Sequence, residues 1–260
     1  MAGLKIGLDL AGLNMSARQA LHTASRLGVD AVEIAARGEL APARLSQTGR
    51  REVRKLLADL RLCVAAVSFH TQRGYDTLED LDRRVKATKD ALRLAYDLRA
   101  PVVINRVGSL ARDDQSDAWR LLLEVLGDLG RYGDYIGAKL AAETGSDTGA
   151  DVARLLAALP DGAIGIDLNP GNLILAGNSP WEMIRLTGPS ILHVHATDGI
   201  RNADGNGQFV ALGQGGADFP ALLDALEKHH YRGYFTVQRF GLHDPLAQFT
   251  QAVEYLRRWK

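Results

Sequence analysis

The sequence has little cysteine, no excess of charge of either sign and no long apolar run. Its 260 residues include one cysteine, Cys63, which excludes an intramolecular disulfide and a CxxC-type metal site. Because Cys63 lies in an apolar run, we expect it to be a small buried hydrophobe. Basic and acidic residues both number 31. This balance argues against a nucleic-acid partner, since such binding depends on phosphate neutralisation.

The absence of long apolar segments predicts a soluble, cytoplasmic protein with no membrane partner. No run reaches the ~20 apolar residues of a membrane span. The first residues, MAGLKIGLDLAG, do not combine a charged leader with a long apolar stretch. The hydrophobic content of 46% suffices for a large core.

Short β-rich runs alternate along the chain with longer amphipathic patterns. Strands are predicted over 4–10, 30–35, 62–69, 101–105, 138–143, 163–168, 191–195 and 233–238. Helices are predicted over 17–27, 42–60, 77–98, 117–135, 151–159, 180–186, 219–229 and 245–259. Eight such units favour an α/β fold with a closed parallel sheet, a (β/α)8 TIM barrel forming one domain over residues 1–260. A doubly wound open sheet is the alternative, but LDLAGLN lacks its GxGxxG turn.

The longest stretch without a predicted element is 197–218, which is rich in Gly, Asn and Asp. A loop of this length after a barrel strand is typical of a functional segment. A partner subunit closing the barrel mouth over it would make the protein a homo-oligomer, and this alternative stays open. Within the segment, LGQGG is interpreted as a turn that needs a positive φ.

Polar residues follow nearly every predicted strand, at the end where barrel enzymes carry their chemistry. A single one would more often be a capping or core residue, but the repetition around the ring predicts a site. In ILHVH, His193 and His195 share one strand face, so we expect both to point into the barrel mouth. The full set is Glu33, His70, Asn105 with Arg106, Glu143, Asn169 with Asn172, His193 with His195 and Asp198, and Gln238 with Arg239.

Six segments in these regions carry a family resemblance. They are HTQRGYD (70–76), AAETG (141–145), DLNPGNLILAG (167–177), HVHATDG (193–199), ALGQGGADFPALLDAL (211–226) and YRGYFTVQRF (231–240). On them the chain resembles the xylose isomerase-like barrel superfamily, in its sugar phosphate isomerase/epimerase branch. That superfamily includes isomerases, epimerases, dehydratases and abasic-site endonucleases, so the resemblance specifies the fold more closely than the reaction.

The resemblance implies a divalent ion, manganese or magnesium in preference to zinc, held by residues from strands five to eight. The matching positions are Glu143, Asn169, His195 and Gln238. The family usually has Asp at the second position and Glu at the fourth, so two carboxylates are replaced by amides. Because amide oxygens are neutral ligands, we expect a weakly held metal or none. Asp167 is an alternative ligand, although a buried ion pair or hydrogen bond is its preferred interpretation.

Family isomerases and epimerases move a proton next to a carbonyl group. Two proton-bearing groups are needed, and the predicted catalytic residues are Glu143 and His195. His193, His70 or Asp198 could take the place of His195, and weak or absent catalysis is the remaining alternative. A carboxamide such as Gln238 cannot exchange protons near neutral pH, so a symmetric two-glutamate mechanism is not expected. The predicted substrate-binding residues, whose arginines could equally form ion pairs within the loops, are His70, Arg73, Asn105, Arg106, Asn172, His193, Asp198 and Arg239.

Three functions therefore stay open. The first is an isomerase or epimerase of a sugar, a sugar phosphate or a related polyhydroxy compound. The second is a barrel that has lost catalysis and binds a sugar-like ligand or a partner. The third is a metal-dependent lyase or dehydratase. An abasic-site endonuclease is disfavoured, because amides stand at too many metal-ligand positions and the net charge is zero.

Overall fold

A computed structural model describes residues 3–238 and 244–260, and in it eight parallel strands close into a barrel. The barrel strands are β1 (Lys5–Asp9), β2 (Ala31–Ala35), β3 (Cys63–Ser68), β4 (Val102–Asn105), β5 (Lys139–Glu143), β6 (Gly165–Leu168), β7 (Ile191–Ala196) and β10 (Tyr234–Val237). They neighbour one another in chain order, and β10 pairs with β1. The predicted (β/α)8 TIM barrel is confirmed.

Helices follow the strands and pack on the outside of the barrel. They are α1 (Ala17–Leu27), α2 (Gln47–Asp59), α3 (Leu81–Leu98), α4 (Asp117–Ile136), α5 (Gly149–Ala158), α6 (Pro170–Ala176), α7 (Pro180–Thr187), α8 (Phe219–Lys228) and α9 (Pro245–Arg257). Helix α2 begins later than predicted, because the Ser46 side chain caps it by accepting from the N–H of Gly49. Helix α3 also begins later, since Asp80 before it adopts a left-handed conformation.

Two regular elements occur where the sequence predicts none. Helix α6 follows β6 directly, with Asn169 as its N-cap and Pro170 in its first turn. A hairpin of β8 (Asp198–Arg201) and β9 (Gly207–Val210) occupies half of the segment predicted to be structureless. Its turn is short and polar, and Gly205 there has φ +83°. Both elements lie at the carboxyl ends of the strands, around the expected site.

Cys63 is exposed, so the prediction of a buried residue is wrong. It is the first residue of β3 and lies at the rim of the barrel opposite the site. The apolar run around Cys63 predicts burial correctly for the middle of the strand, but not for its first residue.

The barrel interior is apolar at one end and polar at the other. A small cluster of Ala66, Val102, Ile104 and Ala141, with Leu192 packed on it, is separate from the main core between strands and helices. Towards the carboxyl ends of the strands the buried side chains become polar, and they include Glu33, Asn105, Asp167, His193, His195 and Thr236. In the described residues, no helix is long and apolar enough to cross a membrane.

Candidate functional site

Glu143 ends β5 and is surrounded by side-chain hydrogen-bond donors. Its Oε1 accepts from Nδ2 of Asn169 at 3.1 Å and from Nδ2 of Asn172 at 3.2 Å. Its Oε2 accepts from Nε of Arg106 at 2.9 Å and lies 3.2 Å from Nε2 of His70. Only 3% of the Glu143 side chain is exposed. Three side-chain donors and the ring of His70, from the segments that follow β3, β4 and β6, therefore converge on one carboxylate.

These donors keep Glu143 ionised. Burial raises the pKa of the Glu143 carboxyl, but the hydrogen bond from His70, the charge of His195 and the bond from Arg106 oppose burial. Together they hold the pKa well below its usual range. The carboxylate is therefore a fixed negative charge at the base of the mouth.

The orientation of the Asn169 amide is set by groups outside the centre. Its Oδ1 accepts from the backbone N–H of Asn172 at 3.1 Å and from the Thr197 hydroxyl at 2.6 Å. Because a backbone N–H can only donate, the amide oxygen must face it. The amide nitrogen consequently points to the centre, 3.1 Å from Glu143 Oε1 and 3.4 Å from Gln238 Oε1.

Beneath Glu143, His195 lies between two carboxylates and is fully buried. Its Nδ1 is 2.6 Å from Asp167 Oδ2, and its Nε2 is 2.7 Å from Glu33 Oε2. The second oxygen of Asp167 is bonded at 2.8 Å to Nδ1 of His193, whose Nε2 is 2.8 Å from the Thr236 hydroxyl. Strands β2, β6, β7 and β10 are thus joined by one chain of hydrogen bonds across the barrel.

The charges in this network stabilise one another. Burial lowers the pKa of His195, but the carboxylates of Asp167 and Glu33 more than offset burial and raise it well above its ordinary value. Burial likewise raises the pKa of Glu33, while the charge and hydrogen bond of His195 bring it down to about 2. The centre of the barrel therefore holds an imidazolium ion between carboxylates.

Asp9, at the end of β1, is a further, half-buried acid beside this network. Burial raises the pKa of its carboxyl to about 7, and the charge of Glu33 adds to the effect. The backbone N–H of Ala11 donates to its Oδ1 at 2.9 Å, which partly opposes the rise. The charge of Asp9 consequently changes near neutral pH.

Four of the predicted substrate-binding residues line the mouth cavity, and three of them lie with Glu143: His70, Arg106 and Asn172. These three contribute, with Glu143 itself, to the wall of a cavity of about 1050 Å³. Arg106 has 66% of its side chain exposed, although its Nε is bonded to Glu143. The cavity can accommodate a small polar molecule in contact with Glu143.

Other predicted substrate-binding residues are bonded to the protein itself. Asn105 is buried, and it binds Thr71 through Oδ1 and the Tyr75 hydroxyl through Nδ2. Arg73 lies in the cavity wall but forms an ion pair with Glu79. His193 is buried in the inner network, and Arg239 lies outside the described residues.

Asp198 is fully buried at the start of β8 and holds the loop that follows β9. Its two oxygens accept from the backbone N–H groups of Gly199, Gly213, Gly215 and Ala217 at 2.8–3.0 Å. The LGQGG segment fits this role, because Gly213 has φ +82° and a Cβ on Gly215 would lie 2.3 Å from Asp198 Oδ1. The prediction of a positive-φ turn is confirmed at Gly213.

Two groups of side chains in the described part of the chain are compatible with a divalent ion by distance. They are Glu33, His193 and His195, and Glu143, Asp167 and His195, whose ligand atoms lie within 4.8 Å of one another. Carboxylates and imidazoles are common ligands of such ions. The set predicted from the sequence differs, because Asn169 turns an amide N–H, which cannot ligate a cation, towards its centre.

Sequence reasoning gave Glu33 and Asp167 too little weight and missed Asp9. All three are acids within apolar strands, in KIGLD, AVEIA and GIDL. A charged residue in a strand that is otherwise buried requires a partner inside the barrel. That signal was available in the sequence, but the identity of the partner depends on how the strands align around the ring.

A closed barrel with a polar centre at its carboxyl end defines the general class of the protein, and comparison with known proteins defines the family. The family model described as xylose isomerase-like TIM barrel matches residues 21–259. The chain therefore belongs to the xylose isomerase-like TIM barrel family, which confirms the resemblance.

Curated relatives match only part of the chain. An inosose dehydratase of Clostridium beijerinckii is 24% identical over 166 residues, which cover 54% of each protein. The rhizopine catabolism protein MocC of Rhizobium meliloti is 26% identical over 189 residues, covering 61% of this chain and 58% of the relative. The chain thus spans about half the length of the curated relatives it matches.

Solved structures resemble the whole barrel. A xylose isomerase domain protein from Planctomyces limnophilus has a TM-score of 0.88 and 23% identity, covering 99% of this chain and 97% of its own. A xylose isomerase-like TIM barrel protein from Mycobacterium smegmatis in complex with magnesium has a TM-score of 0.79 and 20% identity. The match covers 98% of this chain and 96% of that protein. D-allulose 3-epimerase from Methylomonas sp. in complex with D-allulose has a TM-score of 0.77 and 17% identity. The match covers 99% of this chain and 98% of that protein. At these identities the likeness shows the fold alone.

Proposed function

We propose that this chain is a sugar-modifying enzyme that moves a proton next to the carbonyl group of a polyhydroxy substrate, with Glu143 as the base. The observation that carries the proposal is the placement of Glu143 in the wall of the mouth cavity, held by side-chain donors. Side-chain donors can rotate away from Glu143 and bind a substrate instead, whereas backbone donors are fixed by the fold. The relatives named for inosose dehydration and D-allulose epimerisation support a substrate of this class.

The site favours chemistry from one side of the substrate. Glu143 and Gln238 both lie within hydrogen-bonding distance of the Asn169 amide nitrogen. Epimerisation with a base on each face would need a proton-bearing group at both positions, and Gln238 has none. In the isomerisation we propose, Glu143 takes the proton from the carbon next to the carbonyl and returns it to the former carbonyl carbon. The hydroxyl proton passes meanwhile to the former carbonyl oxygen.

The other groups of the mouth bind and orient the substrate. Arg106 and His70 offer donors to a hydroxyl, carboxylate or phosphate oxygen, and each can exchange its contact with Glu143 for one with the ligand. Asn172 holds the other oxygen of Glu143 in place. By distance, Glu143, Asp167 and His195 could hold a divalent ion once His195 lost a ring proton, and the ion would polarise the substrate carbonyl.

Dehydration is the second candidate, and the pairing of His70 with Glu143 favours it. Nε2 of His70 is 3.2 Å from Glu143 Oε2, so a group that can carry a proton stands next to the base. In a β-elimination, Glu143 would take the proton next to the carbonyl. His70 would protonate the hydroxyl on the next carbon, which leaves as water. The inosose dehydratases among the relatives agree with this reaction.

The test is turnover of a panel of aldoses, ketoses, their phosphates and inososes, followed by NMR in D2O. Isomerisation gives a new carbonyl compound, whereas dehydration gives a conjugated enone that absorbs in the ultraviolet. We expect Glu143→Gln to lower kcat by about 1000-fold, since the loss of a positioned base costs about 10²–10⁴-fold. Glu124→Gln on α4, the same change at an exposed position, is the matched control.

Full activity in Glu143→Gln would remove this residue from the mechanism. A wild-type protein that binds members of the panel saturably, but neither converts them nor exchanges their protons with D2O, would contradict the proposal. That result would instead identify a barrel that binds sugar-like ligands without catalysis.

A further inference from the structure

The amide nitrogen of Asn169 occupies the centre of the four residues matched to the family's metal ligands. It lies 3.1 Å from Oε1 of Glu143 and 3.4 Å from Oε1 of Gln238, and an amide NH₂ has two hydrogens to donate. It therefore contacts an oxygen atom of each of two other residues, as a bound cation would. A cation and these two N–H groups cannot share that position.

This orientation cannot be reversed cheaply. Turning the amide would place its NH₂ against the backbone N–H of Asn172, which now donates to Oδ1 at 3.1 Å. It would also alter the contact with the Thr197 hydroxyl, which donates to Oδ1 at 2.6 Å. Asn169 is the N-cap of α6, so its oxygen is committed to the start of that helix.

The remaining members of the four are likewise satisfied by protein groups. Glu143 accepts hydrogen bonds from Asn172 and Arg106 as well as from Asn169. His195 has a carboxylate on each ring nitrogen, Asp167 on one and Glu33 on the other. Both oxygens of Glu143 and both ring nitrogens of His195 thus have partners from this chain.

We propose that Asn169 and Gln238 take the place of a cation at this centre, with the Asn169 N–H groups holding Glu143 where a metal ion would otherwise hold it. Asn169 is then a positioning residue for Glu143, which is the group the proposed function also uses. An ion held lower in the barrel by Asp167 and His195 would be independent of both amides.

The test compares Mn²⁺ binding by calorimetry, and melting temperature with Mn²⁺ or EDTA, in metal-stripped proteins. The double variant Asn169→Asp, Gln238→Glu supplies two anionic ligands, and we expect it to bind Mn²⁺ about 100-fold more tightly than the wild type. Its melting temperature should fall in EDTA and rise with Mn²⁺. The double variant Gln115→Glu, Asn202→Asp adds the same charges at exposed positions and should bind Mn²⁺ as the wild type does.

A second variant keeps the proposal testable if the charged variant does not fold. Asn169→Ala, Gln238→Ala should leave Mn²⁺ affinity and stoichiometry as they are in the wild type. A tenfold or greater loss of Mn²⁺ affinity in this variant would show that the amides are ligands and would overturn the proposal. A folded charged variant that gains no affinity would overturn it as well. Neither readout requires turnover, so the result is separate from the success or failure of the proposed function.

Discussion

Two carboxylates at the mouth of the barrel, Glu143 and Asp198, are buried and accept several hydrogen bonds, three at Glu143 and four at Asp198. The donors to Asp198 are backbone N–H groups, between residues 199 and 217. Those to Glu143 are side chains, which include the largely exposed Arg106. Both residues follow or end barrel strands, and their sequence contexts alone do not separate them.

The source of the donors decides what each carboxylate can do. Backbone donors are fixed by the fold, so releasing one from Asp198 would require the loop to unfold. Side-chain donors can rotate away, so substrate oxygens can replace those of Glu143 without a change of fold. The kind of donor, more than the number of hydrogen bonds, therefore makes Asp198 a structural anchor and leaves Glu143 available for chemistry.

Asp9 extends this comparison to a carboxyl with few donors, and it gives the largest expected effect on stability. Its pKa is raised to about 7 in the folded protein, from an ordinary value of 3.8. The folded state therefore keeps a proton that the unfolded state loses, and stability falls as pH rises from about 4 to 7. The full loss is about 4 kcal/mol, at 1.36 kcal/mol per pKa unit.

Asp9→Asn, which imitates the protonated acid, should lack this loss. In urea titrations between pH 4 and 8, we expect its free energy of unfolding to gain about 4 kcal/mol relative to the wild type. Asp161→Asn at an exposed position is the matched control. Parallel profiles for wild type and Asp9→Asn would show that Asp9 is ionised throughout, and the link between few donors and protonation would fail.

Asp198→Asn should give the next largest effect, on stability. The amide has one oxygen to accept with, and its NH₂ would face backbone N–H groups. We expect a loss of about 3 kcal/mol, because bonds to a charged acceptor contribute about 1.5–3 kcal/mol each. The melting temperature should fall by roughly 5–10 °C. Asp204→Asn at the exposed tip of the same hairpin is the control, and equal melting temperatures for the two variants would exclude the anchoring role.

The sequence was sufficient for the barrel and for the neighbourhood of the site. Strand bounds followed from apolar runs, since period and length suffice to locate buried strands. The polar ends of those strands located Glu143, His70 and Arg106 at the mouth. The direction of the Asn169 amide could not be predicted from the sequence, because the hydrogen bonds of its oxygen to Thr197 and to the start of α6 set it. The ion pair of His195 with Glu33 could not be predicted from the sequence either, since the two residues are 162 positions apart in the chain.

Arg106 and Arg73 provide the smallest and most selective test, because both line the mouth cavity but only one contacts Glu143. Arg106→Ala removes a donor that is free to turn to a substrate, and we expect KM to rise about tenfold, or about 1.4 kcal/mol. Arg73 is paired with Glu79 at an exposed position, where such pairs contribute little, so Arg73→Ala should change KM less than about twofold. Both are measured by steady-state kinetics on the substrate that the panel identifies. Equal effects of the two substitutions would mean that general positive charge at the mouth, rather than contact with Glu143, selects the ligand.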